Sequence, residues 1–134
     1  MDEIQAAILR DKLPLLDEWN ARRRQIATKY NTAFSKLPLA LPVSVGTDYV
    51  AHLYVIRVDA RESFRSHLQL QGITTDVHYP LADHLQIAYT HGDVLGRLSN
   101  TETACASVVS LPCFPGLSDA DVDQVIAAVQ SFFS

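Results

Sequence analysis

Apolar residues recur at spacings of three and four from Ile4, Ala7, Ile8, Leu9, Leu13, Leu16 and Trp19 to Ile26, Tyr30, Phe34 and Leu37, with Pro14 inside the run. That spacing is the period of a helix buried along one stripe, so the first quarter of the chain is committed to helix. Pro14 has no amide hydrogen and clashes inside a helix, which puts a break near Leu13 and Pro14 in the first turn of a second helix. The second helix should run to about Lys36, where Leu37-Pro38 stops it, so residues 1–36 read as a helical arm.

Beyond the arm the period changes. Leu39-Ala40-Leu41-Pro42 is short and proline-bounded, which allows no more than an edge strand. Gly46-Thr47-Asp48 is turn chemistry, and His52, Tyr54, Ile56 and Val58 then alternate with Leu53, Val55 and Arg57 as a half-buried strand does. Asp59 is placed to cap a helix from Ala60 to Gln71, with Phe64 and Leu68 inward and Gly72 as a left-handed C-terminal cap. Ile73 to His78 reads as the next strand, His91-Gly92-Asp93 and Gly96 as an open loop, Leu98 to Val108 as a helix and Val109-Ser110-Leu111 as a strand. Ser118 is an N-cap with Asp121 at the third helical position, opening a helix through Phe132 whose stripe is Val122, Val125, Ile126, Val129 and Phe133. The expected class is α+β: a small, mainly antiparallel sheet of three to four short strands covered by helices and preceded by two N-terminal helices. The whole of 1–134 reads as a single domain, with the α+β part at 39–134.

Charge and cysteine usage narrow the function. Eleven basic against fifteen acidic residues give a net charge of -4, which provides no broad cationic surface for nucleic acid. Arg22-Arg23-Arg24, the one basic run, spreads around a helix and reads as a solvated face. No apolar stretch approaches the roughly 20 residues that span a bilayer, and Met1-Asp2-Glu3 begins acidic, so the expectation is a cytoplasmic protein without membrane contact. Cys105 and Cys113 lie in apolar surroundings without the spacing of a redox or zinc motif and read as buried free thiols. His78, His84 and His91 show no recognised ligand spacing, and no metal site is expected.

The segment Thr74 to Tyr89 places two histidines, two tyrosines and two aspartates in a region that should be irregular after Pro80. Loops carry function more often than cores do, which makes His78 and Tyr79 candidate ligand contacts, with His84 and Tyr89 behind them. The alternative is that His78 and Tyr79 close a strand against the core while Asp83 and His84 cap the next turn.

Five ordered blocks then carry a resemblance: Met1 to Leu9, Leu15 to Arg23, His52 to Arg57, Val77-His78-Tyr79-Pro80, and Leu111 to Ser118. Together they resemble the DegT/DnrJ/EryC1/StrS sugar aminotransferases over nearly the whole chain, and specifically the C-terminal, small-domain part of such an enzyme. The resemblance implies a parent enzyme that holds pyridoxal 5'-phosphate on a lysine and moves an amino group, usually from glutamate, to a keto sugar on a nucleotide diphosphate. It matches His78 and Tyr79 to a loop facing the nucleotide-sugar pocket, and an imidazole and a phenol can both donate to phosphate or sugar hydroxyls. The stretch Asp83 to Tyr89, with His84, is similar to members acting on thymidine-diphosphate sugars, with Ile87 where a proline is common.

The same resemblance implies no cofactor and no catalytic residue in this chain alone. Lys12, Lys29 and Lys36 fall on predicted helix faces and outside the serine-preceded loop of the family's Schiff-base lysine. An Asn-x-Arg element that helps complete the neighbouring subunit's site belongs just before Met1. The expectation is therefore an incomplete enzyme, inactive alone. A second function open to the chain is a free-standing binding or oligomerisation module that self-associates through its first helix, and a third, less favoured, is a hydrolytic or metal site at His78, Asp83, His84 and His91.

Overall fold

The computed structural model describes residues 2–43, 46–87 and 97–134. Among them are five α-helices and two strands: α1 (Glu3–Lys12), α2 (Leu16–Phe34), β1 (Tyr54–Arg57), α3 (Arg61–Leu70), α4 (Ser99–Ser107), β2 (Val108–Leu111) and α5 (Asp119–Phe132). The anticipated loop at His91 to Gly96, and Tyr89 with it, lies outside the described residues.

Pro14 acts as its chemistry requires. A single 3-10 turn, Leu13–Leu15, separates α1 from α2 and absorbs the missing donor. The apolar stripe crosses that turn but is buried only on α2, through Ile26, Tyr30 and Phe34. On α1, Ile4, Ile8 and Leu9 remain exposed, and that helix carries no buried residue. No described helix is long and apolar enough to cross a membrane.

The sheet has two strands rather than three to four. β1 and β2 pair antiparallel in the register Tyr54↔Leu111 to Arg57↔Val108. The other two expected strands survive as single bridges: Ala40 with Arg57, and Asp76 with Ser110. Both have a local cause. Pro38 and Pro42 flank Ala40 and withhold two donors. Pro112, two residues beyond Ser110 and opposite Thr74, has no amide hydrogen to continue the second ladder.

α3 starts at Arg61 with Ala60 as its N-cap residue and without a side-chain cap bond, so Asp59 does not take the role expected of it. Its far end is as expected: Gly72 has φ +77°, the left-handed conformation in which a Cβ is strained. α5 carries the anticipated reciprocal cap, Ser118 Oγ accepting from the Asp121 amide at 3.1 Å and Asp121 Oδ2 accepting from the Ser118 amide at 3.3 Å.

One core unites these elements. Tyr30 and Phe34 of α2 stack at 5.5 Å, and Tyr54 of β1 lies 5.0 Å from Tyr30. Phe64 and Leu68 of α3 and Val122, Val125 and Val129 of α5 complete it, with Ile56, Val109 and Leu111 from the strands. The phenol of Tyr30 donates to the Pro112 carbonyl at 2.9 Å and that of Tyr54 to Asn31 Oδ1 at 2.7 Å, so both buried hydroxyls are satisfied.

Arg22 and Arg23 overturn the solvated-face expectation. Arg23 Nη1 donates to the carbonyls of Cys113 at 2.8 Å and His52 at 3.1 Å, and Arg22 Nη2 donates to that of Leu117 at 2.7 Å. Both side chains leave α2 along the loop that joins β2 to α5 and hold its backbone. The Cys113 thiol beneath it is buried, which pushes its pKa up to about 11 against the pull of Arg23.

That shift sets an alkaline limit. Above the ordinary thiol range, near 8.5, the unfolded chain gives up a proton that the native chain keeps. Stability is therefore full below that range and falls as pH rises towards about 11. Burial of Tyr30 and Tyr54 acts in the same direction at higher pH. Urea midpoints measured from pH 8 to 11 should decline, and Cys113→Ala should flatten the first part of the decline; a profile unaltered by the substitution would remove Cys113 as its cause.

Candidate functional site

The site is built from the segment after α3. Gly72 turns the chain, Ile73 anchors it in the core, and the Asp76–Ser110 bridge fixes its register on the outer edge of β2. His78, two residues beyond Asp76, reaches back to place Nδ1 2.9 Å from Ser110 Oγ, while Nε2 lies 3.5 Å from Asp76 Oδ2. Tyr79 follows through a cis peptide bond, and its ring meets that of His78 edge-on at 5.5 Å.

The two neighbours serve different clefts. His78 lines one of about 440 Å³ together with Asp76, Ser110, Phe114, Asp121 and Gln124. Tyr79, 70 % exposed, lines another of about 920 Å³ with Pro80, Leu81, Asp83, Thr101 and Cys105. The pair thus stands on the rim between two cavities. The described lining of both clefts contains no lysine or arginine, so neither offers a fixed cation to a diphosphate.

His84 is placed differently. Its side chain is only 7 % exposed, lines neither of these clefts, and brings Nε2 to 3.3 Å from Glu102 Oε1. Glu102 also accepts from the Leu98 amide at 3.1 Å and faces Arg97 at 3.5 Å. Desolvation works against this carboxylate, but the bonds from His84 and the Leu98 amide, with the charge of Arg97, outweigh it and hold its pKa below the usual range. His84 therefore ties the 3-10 turn Asp83–Leu85 to the first turn of α4.

Two partners of His78 were not singled out from sequence. Ser110 could have been noticed as a hydroxyl interrupting an aliphatic strand, and Asp76 as the carboxylate two residues before the imidazole. Among the described residues no group of three His, Cys, Asp or Glu is arranged to hold a metal ion.

Whether the residues present suit pyridoxal phosphate can be judged from the lysines. Lys12 and Lys36 are exposed, and Lys29 is committed to Asp119 and Asp123 at 3.4 Å each. None lines the clefts at His78 and Tyr79. A lysine for a Schiff base must be desolvated or otherwise activated, so these three do not fit that role.

The chain is similar over its whole length to known proteins. It is 41% identical to dTDP-3-amino-3,4,6-trideoxy-alpha-D-glucose transaminase of Streptomyces venezuelae, across 98% of this chain and 36% of that protein. It is 40% identical to dTDP-3-amino-3,6-dideoxy-alpha-D-galactopyranose transaminase of Aneurinibacillus thermoaerophilus, across 98% of this chain and 36% of that one. The crystal structure of S. venezuelae DesV in complex with a ketimine intermediate superimposes with a TM-score of 0.93 at 39% identity, covering 100% of this chain and 37% of that chain. The chain thus spans little more than a third of the relatives it matches. Residues 1–130 match the model of the DegT/DnrJ/EryC1/StrS aminotransferases, and with fold and sequence in agreement over that span the chain belongs to this family.

Proposed function

We propose that this chain is the small-domain part of a pyridoxal-phosphate-dependent nucleotide-sugar aminotransferase, that His78 and Tyr79 form its substrate-facing rim, and that it is inactive alone. The observation that carries the reading is the rim itself, an imidazole and a phenol set edge to edge between two clefts. Both rings donate hydrogen bonds, as recognition of sugar hydroxyls requires. With no cation in the described lining of these clefts, the chain contacts the sugar or the base, and the charge of the diphosphate is met from elsewhere in the enzyme. His84 contributes indirectly, by holding the loop through Glu102. The cofactor and its lysine belong to another part of the enzyme, since the three lysines here do not suit it.

Titration of the chain with a thymidine-diphosphate sugar tests the rim. Amide resonances of residues 76–81 and 110 should respond, and His78→Ala should weaken binding by about tenfold, the equivalent of one hydrogen bond of ~1.4 kcal/mol. A sugar nucleotide that perturbs none of these residues would overturn the assignment. Mixed with pyridoxal phosphate, the chain should show no aldimine absorbance that survives dialysis; a stable adduct would overturn the predicted inactivity.

One observation favours a second reading, an oligomerisation module. α1 exposes Ile4, Ile8 and Leu9, and a helix of this length is marginal without packing. Sedimentation should then show concentration-dependent association that Ile4→Glu and Ile8→Glu abolish. A strict monomer would exclude it.

A further inference from the structure

The geometry points to Ser110 as a positioning residue for His78, one that fixes the imidazole as an outward-facing N–H donor at Nε2. This rests on the reading of His78 as a sugar-nucleotide contact. Ser110 is 6 % exposed, the one buried polar residue in the described core, and it sits between Val109 and Leu111 on β2. A hydroxyl left unbonded there would cost on the order of 1–3 kcal/mol. It is instead 2.9 Å from His78 Nδ1.

The local fold brings Ser110 and His78 together. The bridge between Asp76 and Ser110, with amide-to-carbonyl distances of 3.2 and 2.8 Å, sets the two residues opposite one another. The His78 ring reaches both Ser110 Oγ and Asp76 Oδ2, which puts the three side chains on one side of the segment.

The proton's place follows from the donors and acceptors available. Asp76 Oδ2, 3.5 Å from Nε2, can only accept, and so favours a proton on that nitrogen. Nδ1 then carries the lone pair of the neutral ring, and the Ser110 hydroxyl donates to it. The Asp76 side chain is 76% exposed, so an oxygen of a bound ligand can replace it at Nε2 while the buried bond from Ser110 stays in place. A ring held from behind loses less freedom on binding than a free one. The Ser110 hydroxyl borders the same cleft but is committed to His78 Nδ1, so its contribution passes through the ring.

Imidazole nitrogen-15 resonances of the full chain, recorded where the ring is neutral, read this arrangement directly. Nε2 should be protonated and Nδ1 a hydrogen-bonded acceptor. Ser110→Ala should move the Nδ1 resonance towards that of a free imidazole, and Ser110→Thr, which keeps the hydroxyl on a strand-favouring residue, should restore it. Ser110→Cys, close in volume and a weak donor, provides the comparison if the alanine variant does not fold. In titrations with a thymidine-diphosphate sugar, Ser110→Ala should bind about fivefold to tenfold more weakly, with no further loss when His78 is already alanine. A His78 spectrum indifferent to Ser110→Ala and Ser110→Cys, or a wild-type ring protonated at Nδ1, overturns the proposal. If the spectrum responds but the wild-type chain binds no sugar nucleotide, the substrate reading fails and the hold of Ser110 on His78 stands.

Discussion

Phe64→Ala should destabilise the chain by about 3–5 kcal/mol, enough to leave it partly unfolded if its stability lies in the usual range of about 5–15 kcal/mol. Phe64 is 0 % exposed and meets Phe132 edge-on at 5.2 Å, with Phe133 tilted at 6.1 Å. α3 buries only one other residue, Leu68, so the ring is most of what that helix gives to the core. Removing it opens a cavity against α5 that neither helix can readily close, because α3 also packs on β2 and α5 on α2. Urea unfolding followed by circular dichroism measures the loss, and Phe64→Leu, which retains most of the volume, should cost less than about 1.5 kcal/mol. A loss below that figure for the alanine variant would mean that α3 is not docked on α5 as the structure has it.

The parts of this fold that could be read in sequence are those whose cause is local. Ser118 and Asp121 are three residues apart and cap α5 whatever else the chain does; Gly72 ends α3 because a left-handed turn suits glycine; Pro14 breaks the helical arm. The sheet was less legible, since a strand exists only through its partner. Ala40 and Asp76 each find a partner at one residue and lose it at the next bonding position, where a proline removes the donor. α1 shows the limit on the other side. Its periodicity correctly signals a helix, but periodicity cannot say whether the surface that covers it lies within the chain.

The candidate site divides in the same way. His78 and Tyr79 stood out by residue type and by their place before Pro80. What could not be read was that they face different clefts, or that His78 is held by a serine 32 residues further on. His84, ranked behind His78 in sequence, plays a different part, because Glu102, 18 residues away, engages its ring. Pairings at such separations are decided by tertiary structure.

The basic run on α2, which reads as a solvated face in sequence, departs from that reading for the same reason, and it yields the second large effect. Arg23→Met should destabilise the chain by about 2–3 kcal/mol: hydrogen bonds from a charged donor contribute about 1.5–3 kcal/mol each, and two that share one guanidinium nitrogen do not add fully. Methionine keeps much of the aliphatic stem, so the loss isolates the two bonds to the Cys113 and His52 carbonyls. Those acceptors are dipoles rather than ions, and the difference between variant and wild type should persist in high salt, whereas a surface ion pair such as Lys29 with Asp123 would be screened. Arg23→Lys should recover little, because a single ammonium on a shorter, differently shaped side chain does not reproduce the planar fork. Arg22→Met should cost less, since Arg22 divides its donors between the Leu117 carbonyl and the exposed Asp119 carboxylate. Without Arg23, the loop from Pro112 to Leu117 keeps only the hold of Arg22 at Leu117 among the described α2 arginine bonds, and the buried Cys113 thiol also loses a nearby positive charge that favours its ionisation. Thiol labelling at pH 8 separates the two consequences: faster labelling of Cys113 means that the loop opens, as expected if Arg23 is its clamp. Unchanged or slower labelling, together with unchanged stability, would mean that water replaces the guanidinium without loss.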